Sequence, residues 1–255
     1  MEMKNFKEAK IGQYNIFLGG LSEKGINKKR NQDAYRIGID ENKEFAYIIV
    51  ADGLGSCEFS DIGSSRVVEI IEDWILNKLS NYSFLSDNVA NILIKRIVEA
   101  WNSSFESNEI HEYDTTVHLA LFFKGRFLLG GIGDGMVLVD ADDIIHKDLI
   151  KDNDLFSNVT NSMCSLNVEE LLEFEILSEV SCQEKISIII ATDGISDDLI
   201  PEKKLTLPRY FIESINKDGI KGLQDELKDW LMNWETEGHS DDKTLCYLVV
   251  EKEVS

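Results

Sequence analysis

Two aspartates in this chain sit where a charge is costly. Asp52 closes the apolar run "FAYIIVA" and is followed by Gly53, and Asp193 follows "ISIIIAT" and precedes Gly194. Either Asp-Gly pair alone is ordinary turn chemistry, since Asp bonds its own backbone and Gly enters conformations closed to other residues. The sum is different. Asp33 closes "KKRNQD" just before an apolar alternation, Asp134 sits in the tight turn "GIGDGM", and Asp241 and Asp242 immediately precede the run "TLCYLVV". If the strands lie side by side with these ends at one edge, the carboxylates converge. Packed anions repel unless a cation compensates them. A donor set of carboxylate, backbone carbonyl and water suits Mg²⁺ or Mn²⁺ rather than zinc or copper. A glycine after each Asp would let its backbone carbonyl approach such an ion closely.

The elements that must carry these residues follow from hydrophobic periodicity. Apolar runs or alternations bounded by turn residues predict strands near 15–22, 34–39, 45–51, 116–123, 126–133 and 136–140, with three more at "FEILS", "ISIIIAT" and "TLCYLVVEK". Helical periodicity predicts helices over about 62–79, 88–105 and 219–234; in the last, Leu223, Leu227, Trp230, Leu231 and Trp234 fall three or four apart. Strands often follow one another through turns as tight as "KGR" at 124–126. Antiparallel meanders with helices covering their faces are therefore expected, an α+β class. The interval from Asp140 to Glu184, apart from a short helix candidate at "VEELLEF", reads as an irregular insertion of the kind that serves as a lid or binding loop. No repeat, low-complexity tract or Gly/Ser linker divides the 255 residues, so one domain over 1–255 with a flap at about 140–184 is expected.

Composition narrows the partners. Lys and Arg number 26 against 47 Asp and Glu, a formal net charge of -21, which argues against nucleic acid and anionic membranes as partners. No apolar run approaches the ~20 residues that span a bilayer, and "MEMKNFKEAK" lacks the apolar stretch of a secretory signal, so a cytoplasmic protein is expected. Cys57, Cys164, Cys182 and Cys246 form no CxxC pair, and His111, His118, His146 and His239 form no HExxH. Any metal chemistry falls to oxygen ligands.

The order of these motifs resembles that of the metal-dependent PP2C (PPM) family of Ser/Thr protein phosphatases, over nearly the whole chain. "NQDAY" at 31–35 is similar to the family's N-E/Q-D-A element, "VADGLGS" at 50–56 to V-A-D-G-x-G, and "TT" at 115–116 to G-T-T. "GIGDG" at 131–135 resembles the G-D-S turn, "ATDGISDDL" at 191–199 the S/T-D-G-L/I-x-D/E element, and "SDDKTLCYLVV" at 240–250 the D-N-x-T element with its final strand. Writing D-G-x-G-S is closest to a bacterial branch. The resemblance implies an αββα four-layer sandwich of two mainly antiparallel sheets. It also implies a protein Ser/Thr phosphatase that works by attack of water shared between two Mn²⁺ or Mg²⁺ ions, which the general chemistry of such centres sets about 3.5–4 Å apart. By position, Asp52 bridges the ions, Gly53 offers its carbonyl to the first, and Asp193 and Asp241 hold the second. Asp33 orients water, and Asp134 matches a third metal position of bacterial members. Implied partners are phosphoprotein substrates and a cognate Ser/Thr kinase, and a monomer is expected.

The departures from the family pattern carry expectations too. Lys28 stands where the family places a phosphate-binding arginine, supplying the charge without the bidentate fork, so Arg30 is the second candidate for substrate phosphate. Leu54 stands where animal members have a histidine, Asp114 replaces the glycine of G-T-T, and Gly135 replaces the serine of G-D-S. Asp242 replaces the Asn of D-N, either to tighten metal binding or as a solvated neighbour. Two other functions compete: a catalytically silent relative that binds a kinase or phosphoprotein, and a phosphatase of small phosphate esters.

Overall fold

The computed structural model describes residues 5–141, 145–149, 160–178, 185–234 and 240–253. Its layering follows from how apolar the central strands are. In β4 (Phe45–Asp52) every residue but the terminal Asp52 is buried, and β5 (Val117–Phe123) is buried throughout. A strand buried on both faces needs cover above and below. These two lie inside a five-stranded sheet with β3 (Asp33–Asp40), β6 (Arg126–Ile132) and β9 (Glu173–Ser178), in the order β3-β4-β5-β6-β9. The second sheet has six strands, β1 (Phe6–Ile11), β2 (Tyr14–Glu23), β7 (Met136–Ala141), β8 (Ile145–Asp148), β10 (Lys185–Ala191) and β11 (Lys243–Lys252), ordered β1-β2-β11-β10-β7-β8. Every strand pairing is antiparallel.

The sheets face each other across a core that includes Ile16, Leu18, Ile48, Val50, Phe122, Leu129, Ile188 and Leu248. Burying each such side chain is worth roughly 1.5–3 kcal/mol, before the entropy of ordering it. On the outside of the five-stranded sheet, α1 (Ser60–Lys78) and α2 (Asp87–Asn102) bury Val67, Ile71, Trp74, Leu93 and Trp101 against Ile49, Leu119 and Leu121. On the outside of the six-stranded sheet, α6 (Leu207–Met232) buries Phe211, Leu223 and Leu227 against Ile189, Tyr247 and Val249. Three short helices, α3 (Val168–Leu171), α4 (Asp193–Ser196) and α5 (Pro201–Lys204), complete the set of described α-helices. The expected α+β, αββα arrangement of two antiparallel sheets between helical layers is what the chain forms.

The nine expected strands and three expected helices are present, and the differences have local causes. The last helix begins twelve residues earlier than its periodicity indicates, at Leu207 rather than Gly219, with Pro208 in its first turn. Gly219, at φ 73° and ψ 170°, breaks it into two segments. The first segment is short and buries only Phe211 and Ile215 among its large apolar residues, too few to show a period. Strand β1 was not expected, because "FKEAKI" is an edge strand whose charges face water. Within the expected flap, β8 is a strand, while 142–144, 150–159 and 179–184 lie outside the described residues. No helix among the described residues is long and apolar enough to cross a membrane.

Candidate active site

Register places the first two carboxylates. Asp33 opens β3, Asp52 ends β4, and the two are direct cross-strand partners, so their side chains share one face of the sheet. Backbone contacts fix both. Thr116 N–H donates to Asp52 O at 2.8 Å, Thr115 Oγ1 donates to the same oxygen at 2.7 Å, and Asp52 N–H donates to Thr116 Oγ1 at 3.2 Å. The threonine pair therefore clamps Asp52, a role that the motif at 115–116 did not disclose in sequence. Asp33 Oδ2 accepts from Thr192 Oγ1 at 3.0 Å, which ties it to the opposite sheet; Oδ1 is buried without a partner.

The other sheet supplies the rest. Asp193 begins α4 directly beyond β10, and Asp241 and Asp242 precede β11, the strand paired with β10. Thr192 N–H donates to Thr244 O at 3.0 Å, and Thr244 N–H returns to Thr192 Oγ1 at 3.1 Å, which locks the two corners together. The glycines after the aspartates have a reason beyond carbonyl access to an ion. A Cβ on Gly53 would come within 2.5 Å of Ser60 O, and one on Gly194 within 2.0 Å of Asp242 O. Both corners close only on a bare backbone.

The fields of these acids reach one another, with Asp52 and Asp193 each feeling Asp241 and Asp33 feeling Asp193 and Asp242. Burial pushes the Asp33 carboxyl up to about 7, assisted by the fields of Asp242 and Asp193 and opposed by hydrogen bonds from Thr244 and Thr192. Burial raises Asp52 well above the ordinary carboxylate range, helped by Asp33, Asp193 and Asp241. Asp193 is also raised, chiefly by burial and by the fields of Asp134 and Asp241, while its hydrogen bond with Asp52 pulls it back. Asp52 and Asp193 thus share a hydrogen bond across the gap between the sheets.

A divalent cation fits this donor set. The oxygens are carboxylates, Asp33 Oδ1 and Asp193 Oδ1 are buried with no hydrogen-bond partner, and the crowding is of the sign a cation relieves. Among the described residues, no group of three side chains already stands in a ligand cage. A cation of the chain's own stands at the cluster's edge: the Lys28 ammonium lies 2.6 Å from Asp241 Oδ1.

The remaining candidates fall into place around this centre. Asp134 lies in the turn that carries the chain from β6 in one sheet to β7 in the other, and its field reaches Asp193. Its Oδ2 accepts from Thr160 Oγ1 at 2.7 Å. Its backbone oxygen is 2.8 Å from Nε2 of His118, a buried histidine that burial holds below its usual range. Gly135, where the family has serine, sits at φ 95° with its absent Cβ 2.5 Å from Ala191 O. Arg30 pairs with Asp61 at 3.2 Å and donates to Glu58 O, at the start of α1, and has no contact with the acidic cluster among its described bonds.

Two departures prove to be braces. Asp242 is 2% exposed, and its carboxylate accepts from Gly25 N–H and Gln32 N–H, both at 2.8 Å. It is not a solvated neighbour; it ties the segment before β3 to the segment before β11, and its field reaches Asp33. Asp114 accepts from Thr115 N–H at 2.8 Å, Cys164 N–H at 3.0 Å and Ser162 Oγ at 2.6 Å, and its own carbonyl accepts from Leu54 N–H at 3.0 Å. A glycine there would remove two of the bonds that anchor the 162–164 segment, leaving Met163 N–H on Thr115 O. The one signal in sequence was an acid where the resemblance called for glycine.

A family model described as protein phosphatase 2C matches residues 24–232, a span that contains Asp33, Asp52, Asp134 and Asp193 and stops before Asp241. No curated protein matches the chain in sequence. The catalytic domain of the serine/threonine protein phosphatase PstP in complex with two manganese ions superposes with a TM-score of 0.66 at 14% identity, over 94% of this chain and 100% of that one. RsbX in complex with magnesium gives 0.59 at 14% identity, over 97% and 100%. The phosphatase domain of the cell fate determinant SpoIIE from Bacillus subtilis gives 0.55 at 16%, over 95% of each chain. At such identities the solved structures establish the shared fold, and the sequence match over 24–232 establishes kinship. The chain belongs to the protein phosphatase 2C family.

Proposed function

We propose that this chain is a metal-dependent protein phosphatase that hydrolyses phosphoserine and phosphothreonine. The observation that carries the reading is the convergence of Asp33, Asp52, Asp193 and Asp241 from both sheets onto one end of the sandwich, in a chain of this family. Asp52, the Gly53 carbonyl, Asp193 and Asp241 would hold two Mn²⁺ or Mg²⁺ ions, and Asp134 offers a third position. Bound there, the ions supply Lewis-acid neutralisation of phosphate charge and bring the acidity of water toward neutrality.

The chain's own residues do the rest. Asp33 has Oδ2 fixed by Thr192 and Oδ1 free of any protein partner, so Oδ1 is the atom that accepts a hydrogen bond from the attacking water and orients it. Thr115 and Thr116 hold the Asp52 backbone still, so the geometry requires no reorganisation during the reaction. Of the basic residues beside the cluster, Lys243 donates to the Asp241 backbone oxygen, whereas Lys28 reaches the Asp241 carboxylate and supports a role at the substrate phosphate; the described partners of Arg30 give it a structural one. A phosphoprotein substrate requires a Ser/Thr kinase to make it, and the free thiols of Cys57, Cys164 and Cys246 favour a reducing, cytoplasmic setting.

Release of phosphate from phosphothreonine and phosphoserine peptides tests the reading, with Mn²⁺ and with EDTA, for the wild type beside Asp52→Asn. Mn²⁺-dependent release that Asp52→Asn abolishes is expected. Release that is indifferent to EDTA, or none from any phosphopeptide or from p-nitrophenyl phosphate, would sink it. Release from p-nitrophenyl phosphate alone would move the substrate to small phosphate esters.

A further inference from the structure

Lys28 is aimed, not loose. Its ammonium lies 2.6 Å from Asp241 Oδ1 and 3.9 Å from Asp242 Oδ2, and donates to Gln32 Oε1 at 2.9 Å. Asp242 is already engaged by two backbone N–H groups, so Asp241 is the strong partner. The segment that carries Lys28 is itself pinned: Lys24 Nζ donates to Gly25 O at 3.1 Å and to Lys28 O at 2.5 Å, and Lys28 N–H donates to Gly25 O at 3.0 Å. Burial works against the lysine charge, but the hydrogen bond to Asp241 and the fields of Asp241, Asp242 and Asp52 outweigh it and raise the ammonium above its usual range.

The acids of the cluster are therefore compensated in two ways. Asp33, Asp52 and Asp193 are raised by burial and mutual repulsion. Asp241, whose side chain is 42% exposed, instead has a cation of the chain's own against its Oδ1. Asp241 Oδ1 also accepts from Asp242 N–H at 2.9 Å, so both of its lone pairs are engaged and an ion that coordinates this oxygen has to displace the ammonium.

We propose that Lys28 is a tethered counter-ion that occupies the Asp241 end of the site and must be displaced when a divalent cation arrives, so that it sets the metal affinity of that end. The proposal rests on the phosphatase reading above and adds a positioning residue to it. Displacement also frees the ammonium for an incoming anion, so metal occupancy and phosphate capture become linked through one side chain.

Calorimetric titration of Mn²⁺ into metal-stripped protein tests this without recourse to turnover, using wild type, Lys28→Met, Asp241→Asn and the double variant. A part-exposed ion pair is worth up to about 1 kcal/mol, so Lys28→Met is expected to bind Mn²⁺ about fivefold more tightly than wild type. In the Asp241→Asn background the same substitution should change nothing. Lys28→Gln serves as the second variant if Lys28→Met does not fold. Equal or weaker Mn²⁺ binding by the lysine variants, with wild type binding normally, overturns the counter-ion role and leaves the phosphatase reading standing. A wild type that binds no Mn²⁺ overturns both.

Discussion

The two halves of the acidic cluster are built on different terms. Asp33 and Asp52 face each other across adjacent strands, with the Asp52 backbone clamped by a threonine pair, and both are held far above ordinary carboxylate acidity by burial. Asp193 and Asp241 lie just beyond or before their strands, and Asp241 is part-exposed and neutralised by Lys28. The five-stranded sheet thus contributes a rigid, uncompensated pair, and the six-stranded sheet one acid raised in the same way, Asp193, and one compensated by a cation, Asp241. Rigidity without compensation makes a strong cation trap that strains the fold, whereas compensation spares the fold and weakens the trap.

The largest test asks whether both halves are needed. Removing a group that stabilises charge in a transition state typically costs about 10²–10³ in turnover, and Asp193→Ala is expected to lose at least that much Mn²⁺-stimulated phosphopeptide hydrolysis while its circular dichroism stays native. Retention of more than about a tenth of wild-type turnover, a barrier change of only ~1.4 kcal/mol, would remove Asp193 from the centre.

Asp114→Ala probes the rigid half. It strips the acceptor from Thr115 N–H, Ser162 Oγ and Cys164 N–H, and leaving buried donors unpaired costs about 1–3 kcal/mol each at most. A loss of about 2–3 kcal/mol in urea unfolding is expected. A loss under about 0.5 kcal/mol, the scatter of ordinary surface substitutions, would show that the brace is dispensable.

A smaller effect sets the halves against each other directly. In metal-free protein at neutral pH, Asp52→Asn relieves uncompensated crowding and should raise the melting temperature, by about 1–2 kcal/mol of stability if it resembles other buried polar corrections. Asp241→Asn loses an ion pair instead and should lower it or leave it unchanged. Equal shifts of the same sign in both variants would erase the distinction between the halves.

The smallest concerns approach to the site. With a net charge of -21, the protein should favour phosphothreonine peptides with flanking Lys or Arg over acidic ones, and the gap in kcat/KM should narrow as salt shortens a screening length of about 8 Å at physiological strength. Equal values at low salt would leave the charge no part in selection.

The sequence disclosed the strands because both sheets are buried on two faces, and such strands write long apolar runs with the acids as punctuation at their ends. It placed Asp33, Asp52, Asp193 and Asp241 together for the same reason. It did not disclose Thr192, Thr116 or His118, because a hydroxyl or imidazole inside a strand pattern looks like any other small interruption, and its partners lie on strands distant in the chain. Lys28 was legible as a cation near the site but not as a partner of Asp241, because pairing across more than two hundred residues leaves no mark in spacing. The edge strand β1 and the part of α6 before Gly219 escaped because their apolar faces are narrow.

The strand order of the larger sheet has a temporal consequence. β11, last in sequence of the described strands, lies between β2 and β10, so that sheet lacks an interior strand until residues 243–252 are available. Asp241 arrives with it, and so does Asp242, which staples residues 25 and 32 to a segment more than two hundred positions away. A nascent chain on the ribosome therefore carries Asp33 and Asp52 long before it carries their counterparts, and such non-local pairing is slow to form. An assembled centre requires β11 in its slot, so a complete acidic cluster marks the moment at which the six-stranded sheet closes.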